Sequence, residues 1–486
     1  MTMNDLKNTT IKGLFWSSVD KFAGQGISFV LQLILARILT PDDYGVVGML
    51  AIFLAISQTF IDSGFTNALI RKHNRNETDF STVFFFNIGM SVFFYLILFF
   101  ASPLIADFYH KPILEQMTKV LGLVLIINSF ASIQRTRLTI ALDFKTQTKI
   151  GLSSIVISGV VGIVLAKQGW GAWALVAQSI IYAVLSAGMF WIITKWMPKL
   201  VFSWNSFRSM FSFGSKLLLS ALIDTTYQNI YGVVIGKKFS AGDLGLYSRA
   251  NQFAQFPSVN LTGVVGRVTY PILSTLQHEP ERLPRIYRQY LRFSAFLVFP
   301  LMMGLAALAY PTIKVILGNQ WLACVVWLQI LCFSTMWYPI HAINLNLLQV
   351  KGRSDLFLRL EIIKKILGVT ILIITLPIGI TAMCIGGIAS SLIALVINTY
   401  YTGKLIDVGF VKQMKDLLPS LVYSVSMGVI VYLIASLIGN DILKLVTGLI
   451  TGLAYYWLVA YLTKSKELLL LHDLLKESYQ RIKRKK

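Results

Sequence analysis

Ionisable residues inside apolar runs are the first candidates for chemistry, because a charge in hydrocarbon is costly and turns toward water or a partner. In the run from about residue 14 to 39, Ser17, Lys21, Gln25, Ser28 and Gln32 recur at spacings of three and four. At 100° per residue they fall within about 40° of one line, a polar stripe suited to a water-filled wall. Asp20 lies about 100° from that line, either at the flank of the stripe or reaching back to the nearer interface. A second polar face, Ser220, Asp224, Tyr227, Gln228 and Tyr231, sets a carboxylate among hydroxyls and a carboxamide. A buried carboxylate without a cation takes up a proton, since desolvation disfavours the charged form. Asp224 is therefore the leading candidate for ion coupling and Asp20 the second; the alternative for Asp224 is an ion pair with a lysine or arginine on a neighbouring helix.

Arg249 and Arg267 are 18 residues apart, five helical turns, so they share a face about 27 Å apart. Phe253, Phe256 and Asn260 lie between them on that face, and Pro257 predicts a kink at mid-depth. A guanidinium is a planar fork matched to phosphate oxygens, while aromatic rings offer apolar faces to sugar C–H surfaces. The competing reading is that each arginine anchors one end of the helix at an interface. Anchoring is the better reading for Arg37, opposite the Lys21 stripe, and for Lys119, near the end of its run.

The elements that must hold these residues are membrane helices. The 486 residues are 55% apolar and 14% charged, with a mean hydropathy of +0.67, which fits poorly with a large soluble surface. Runs of about 20 apolar residues, enough to cross a hydrocarbon core of about 30 Å, lie near 14–39, 44–66, 80–105, 113–134, 149–166, 170–194, 210–235, 244–275, 291–309, 321–350, 355–377, 380–402, 417–438 and 442–463. The expectation is an all-α integral membrane protein of fourteen transmembrane helices, with no loop long enough for a soluble catalytic domain. The first run is too long for a signal-peptide core and lacks a small-residue cleavage site, so it is read as a span. Cys324, Cys332 and Cys384 sit in apolar runs, and the histidines (His73, His110, His278, His341, His472) are scattered singly. Neither pattern supports a disulfide framework or a metal cluster, and no cofactor is expected.

The net charge of +22 raises the possibility of nucleic acid, but the basic residues alternate between the two sides of the span pattern. With the N-terminus inside, 33 of the 44 lysines and arginines fall on the cytoplasmic side, and six fall opposite: Lys111, Lys167, Lys237, Lys238, Lys314 and Lys444. Basicity here encodes a topology with both termini inside, and no nucleic-acid partner is expected. The tail from Lys464 to Lys486 reads as an amphipathic helix on the anionic lipids of the inner leaflet.

Two weak internal matches point to duplication. Leu39-Thr40-Pro41-Asp42-Asp43-Tyr44-Gly45 is echoed by Phe239-Ser240-Ala241-Gly242-Asp243-Leu244-Gly245, and Gly169-Trp170-Gly171-Ala172 by Gly379-Ile380-Thr381-Ala382. The expected organisation is one six-helix unit over 1–200, a second over 201–404, two appended helices over 405–463 and the tail over 464–486.

Several stretches resemble the Wzx-type polysaccharide flippases of the multidrug/oligosaccharidyl-lipid/polysaccharide exporter superfamily. They are KGLFWSSVDKFAGQGISFVLQLILARILTPDDYGVVGM at 12–49, FIDSGFTNALI at 60–70, GDLGLYSRA at 242–250, YPILSTLQ at 270–277, LGNQW at 317–321 and LLQVKGRSD at 347–355. The resemblance implies two six-helix bundles in a V around a central cavity, working by alternating access in a bacterial inner membrane. It also implies, as substrate, a sugar repeat unit on undecaprenyl pyrophosphate, bound for O-antigen, capsule or exopolysaccharide. A polymerase and a chain-length regulator are the partners implied. On that reading Lys21, Gln25, Arg249, Asn260 and Arg267 form a cationic substrate-binding set.

A cation-coupled drug antiporter of the same fold is the rival. The in-span charges, Lys21, Arg37, Lys119, Arg249 and Arg267 against Asp20, Asp62 and Asp224, favour an anionic substrate instead. A membrane glycosyltransferase or ligase using Asp42 and Asp43 is a third reading. Against it stand the short first loop and the repeat of Asp43 as Asp243, which fits helix capping better than catalysis.

Overall fold

The computed structural model describes residues 23–62, 64–72, 74–472 and 476, and every regular element among them is helical. In chain order these are α1 (Ala23–Ile38), α2 (Pro41–Asp62), α3 (Phe65–Arg71), α4 (Glu77–Tyr109), α5 (Ile113–Ile140), α6 (Phe144–Lys167), α7 (Ala172–Thr194), α8 (Trp204–Lys238) and α9 (Ala241–Thr275). Then follow α10 (Arg282–Ala307), α11 (Ala309–Ile316), a 3-10 turn (Asn319–Cys324), α12 (Val325–Thr335), α13 (Tyr338–Val350), α14 (Ser354–Thr375), α15 (Ile380–Ile406), α16 (Phe410–Ser436) and α17 (Asp441–Leu462).

Among the described residues, ten helical stretches are long and apolar enough to cross a membrane. The protein is a multi-pass membrane protein. The other four expected spans coincide with α1, α8, α9 and α14. Helices α8 and α9 run 35 residues each, so polarity rather than length sets them apart. These are the helices that carry Gln25, Asp224, Arg249 and Arg267. Elsewhere large aliphatic side chains point outward, among them Leu437, Leu453 and Ile192, as a surface facing lipid requires.

Two expected spans are broken. The second bends at Gly64, whose φ of +70° favours glycine and whose Cβ would lie 2.9 Å from Gly214 Cα on α8. The tenth is divided into the 3-10 turn, α12 and α13, with Pro339 in the first turn of α13. Helix α9 runs on through Pro257 and Pro271.

The starts of α2 and α9 are built alike. Thr40 N and Oγ1 donate to Asp43 Oδ2 at 2.9 and 2.7 Å, and Asp43 N donates back to Thr40 Oγ1. Ser240 and Asp243 repeat the arrangement at 3.2, 2.7 and 3.0 Å. Each is a capping box satisfying N–H groups that the first helical turn leaves unpaired.

The chain divides into two compact units, 1–245 and 246–486. In the first, α4 packs on α5, α5 and α6 on α7, and α8 on α2. Its apolar core includes Phe65, Leu69, Val83, Phe84, Ile133 and Trp196. In the second, α10 and α17 pack on α16, and α12 and α14 on α15. Residues 466–472 of the tail form a helix whose Leu468 and Leu471 lie against the Phe296–Tyr456 core of this unit. Part of the tail's apolar face is thus covered by the protein itself; residues 473–475 and 477–486 lie outside the described residues.

Candidate functional site

Lys21 and Asp20 lie outside the described residues. Of the rest of their stripe, Gln25 is exposed on α1, while Ser28 and Gln32 are half-buried. Asp224 is half-buried on α8, with Tyr227 and Tyr231 half-buried on the same face and Gln228 exposed. Next to it, Thr225 Oγ1 meets Thr59 Oγ1 of α2 at 3.0 Å. Asp62, near the end of α2, accepts from Gln58 Nε2 at 3.0 Å. Within the first unit, polar side chains of α2 and α8 therefore meet.

The two arginines of α9 have different surroundings. Arg249 is 5% exposed; its Nη1 donates to Gln252 Oε1, and its guanidinium lies 6.0 Å from the Trp321 ring centroid. Trp321 is fully buried, held by the 3-10 turn that begins after Gly318. Arg267 is exposed. Between them, half-buried Asn260 donates through Nδ2 to the Phe256 carbonyl at 2.8 Å. Lys119 is engaged on its own helix and its neighbour, 2.7 Å from Glu115 and 5.1 Å from the Phe99 ring centroid.

Several ionic clusters escaped the sequence reading, because most join residues far apart in the chain. Glu77 holds Arg137 at 2.8 Å and Trp196 Nε1 at 2.7 Å, and buried Asp79 holds Lys72 at 2.7 Å. In the second unit Asp416 takes Arg288 through two bonds of 2.6 and 2.8 Å and lies 3.5 Å from Arg292, which reaches Glu467 of the tail at 3.0 Å. A buried amide pair, Asn344 and Gln413, exchanges bonds of 3.0 and 3.1 Å beside Thr402. Outside the spans, Asp441 lies 2.7 Å from Lys314 and raises the pKa of its ammonium above the usual lysine value. Among the described residues no group of three or more His, Cys, Asp or Glu side chains is placed to hold a metal ion.

Residues 34–326 match the model of a family described as "Polysaccharide biosynthesis protein". The chain belongs to this family of polysaccharide biosynthesis proteins. Among its relatives, the teichuronic acid biosynthesis protein TuaB of Bacillus subtilis (strain 168) is 27% identical over 360 residues, covering 73% of this chain and 74% of the relative. The succinoglycan biosynthesis transport protein ExoT of Rhizobium meliloti (strain 1021) is 28% identical over 66% of this chain and 65% of its own. The lipopolysaccharide biosynthesis protein WzxC of Escherichia coli (strain K12) is 24% identical over 81% and 80%. The fold is similar to that of a lipid II flippase, MurJ, in an inward closed conformation, with a TM-score of 0.77 at 14% identity over 95% of this chain and all of that one. An inward-facing multidrug resistance MATE transporter of the MOP superfamily follows at 0.62 and 14%, over 81% and 98%. This polysaccharide biosynthesis protein thus shares the fold of these transporters.

Proposed function

We propose that the protein is a carrier, not an enzyme, and moves an undecaprenyl-pyrophosphate-linked oligosaccharide repeat unit from the cytoplasmic to the periplasmic leaflet of a bacterial inner membrane by alternating access. One combination supports this most: a member of a polysaccharide biosynthesis family shares its fold with a lipid flippase along 95% of its length. ExoT, a relative named as a transport protein, agrees with it.

On this reading Lys21, Gln25, Asn260 and Arg267 are substrate-binding residues, and the cations among them suit a pyrophosphate. Arg249, packed on Trp321 and Gln252, positions α9. Asp224 couples an ion, with Asp20 as the second candidate. Both termini are cytoplasmic, the basic tail lies at anionic inner-leaflet lipids, and a polymerase and chain-length regulator receive the product. Residues 1–200 and 201–404 are the duplicated six-helix units, 405–463 the appended helices and 464–486 the tail; the matched caps at Thr40–Asp43 and Ser240–Asp243 support the duplication.

Deleting the gene tests the reading: lipid-linked repeat units should accumulate at the inner leaflet while surface polysaccharide disappears. The MATE-like fold favours one rival, a cation-coupled drug antiporter. Intact polysaccharide with altered drug tolerance would establish that rival instead.

A further inference from the structure

Residues 195–203 join α7 to α8 and are pinned to the start of α4. Trp196 is buried against Phe80 and Phe84 and donates through Nε1 to Glu77 Oε2 at 2.7 Å. Further along, Lys199 N donates to Ser81 Oγ and Ser203 N to Thr82 Oγ1, each at 3.0 Å. Ser203 also caps α8, its side chain accepting from Ser206 N at 3.3 Å. Trp196, Lys199 and Ser203 thus hold the connection in one shape.

What that shape leaves outside is apolar. Leu200 is 92% exposed, Met197 76% and Trp204 66%, and Val201 and Phe202 are exposed as well. A run of large apolar side chains held in contact with water is costly, and such patches mark interaction surfaces. This one follows directly on Ile192 and Ile193, which point outward from the last turn of α7. Because α7 is long and apolar enough to cross the membrane and ends at Thr194, the patch continues a lipid-facing surface at a membrane face. Its charge has one sign: residues 195–210 include Lys195, Lys199 and Arg208, all exposed, and no Asp or Glu. Exposed tryptophan among apolar side chains and cations suits the boundary between hydrocarbon and headgroups. The chain's own tail over 464–486 is net basic, so these cations repel it.

We propose that residues 195–208 are an interfacial anchor for anionic phospholipid. Met197, Leu200, Val201, Phe202 and Trp204 enter the boundary between headgroups and acyl chains at the membrane face where α7 ends, and Lys195, Lys199 and Arg208 meet lipid phosphates there. Since the segment is bonded to α4 and caps α8, its insertion sets the depth of both helix starts. The anchor is separate from the tail, does not depend on the substrate reading, and is tested without transport.

The native cysteines are buried, so full-length Leu200→Cys can carry an environment-sensitive fluorophore at residue 200. Met197→Cys is a second reporter, and Glu281→Cys, exposed between α9 and α10, is the aqueous reference. Both reporter positions are exposed, so labelling displaces no packed side chain. In nanodiscs of phosphatidylcholine, emission at 197 and 200 should be blue-shifted from that at 281, quenched by lipid brominated on its acyl chains and protected from aqueous iodide. Adding anionic phosphatidylglycerol should increase quenching by the brominated lipid at least about twofold. The combined variant Lys195→Gln, Lys199→Gln, Arg208→Gln should lose that increase and keep the quenching seen in phosphatidylcholine. Water-like emission with iodide quenching equal to that at 281 overturns the anchor. Protection from both quenchers would mean that protein covers the patch, and overturns it too. Equal quenching in the two lipid mixtures, or an increase that survives in the combined variant, overturns the assignment to anionic lipid.

Discussion

Gly45 rests directly on the carbonyl of Ala241: a Cβ at residue 45 would stand 1.6 Å from that oxygen. The contact is returned, since a Cβ on Gly245 would stand 1.9 Å from the Pro41 oxygen. Reciprocity of this kind is the mark of a two-fold relation, here between the first turns of α2 and α9, whose capping boxes also match. Backbone meets backbone only because both positions lack a side chain.

Gly45→Ala and Gly245→Ala should each reduce flipping in reconstituted vesicles by more than about tenfold, by forcing these backbones apart. Alanine is the better helix former by about 1 kcal/mol, so a loss would report the contact and not the helix. Gly48→Ala supplies the control, because its Cβ would meet only the Leu244 side chain at an ordinary 3.4 Å. Equal activity of the Gly45 and Gly48 variants would show that the contact does not matter to transport.

Arg249 and Arg267 should separate in their responses to lysine. A lysine cannot both reach Gln252 and lie flat over Trp321, so Arg249→Lys should lower the melting temperature in detergent, as should Trp321→Ala. The expected loss for Arg249→Lys is about 1–2 kcal/mol. Arg267→Lys should cut flipping, because the guanidinium of this exposed residue is proposed to grip phosphate. Full activity of Arg267→Lys would remove it from the substrate set.

Asp224 lies half-buried beside the Thr225–Thr59 link between α8 and α2. Asp224→Asn keeps the size and most of the hydrogen bonding but cannot bind and release a proton. We expect normal insertion with transport that no longer responds to an ion gradient. Transport identical to wild type across pH and sodium concentration would exclude Asp224 from coupling.

Asp416 serves two arginines, whereas Glu467 serves one of them. Asp416→Asn should therefore destabilise the second unit by about 2 kcal/mol, since it removes a charge-assisted double bond to Arg288 and the negative charge that Arg288 and Arg292 share. Glu467→Gln should cost less. Thermal unfolding of the two variants would measure the order, and the reverse order would be evidence against this pairing.

Topology can be read by cysteine labelling, and the three native cysteines are all buried. Cysteines placed at Arg71, Arg285 or Lys412 should resist a membrane-impermeant reagent applied from the periplasm, and one at Lys167 should react. Labelling at residue 285 from outside would contradict cytoplasmic termini.

The sequence alone determined whatever depends on residue type and near neighbours. Apolar runs long enough to cross lipid, the lopsided lysines and arginines, and the Thr40–Asp43 and Ser240–Asp243 caps are all local signals, decided by transfer energies and by bonds within one helical turn. What lies opposite each helix face was decided only in three dimensions. Lipid is as apolar as leucine, so periodicity does not separate a face that packs on protein from one that meets the bilayer. Hence Arg249 and Arg267, equivalent by spacing, part company once Trp321 arrives beside one of them. Hence too the pairs Gly45–Ala241, Asp416–Arg288 and Asn344–Gln413 had no trace in the chain. Each pair needs two distant residues brought within bonding distance, and packing between helices sets that distance.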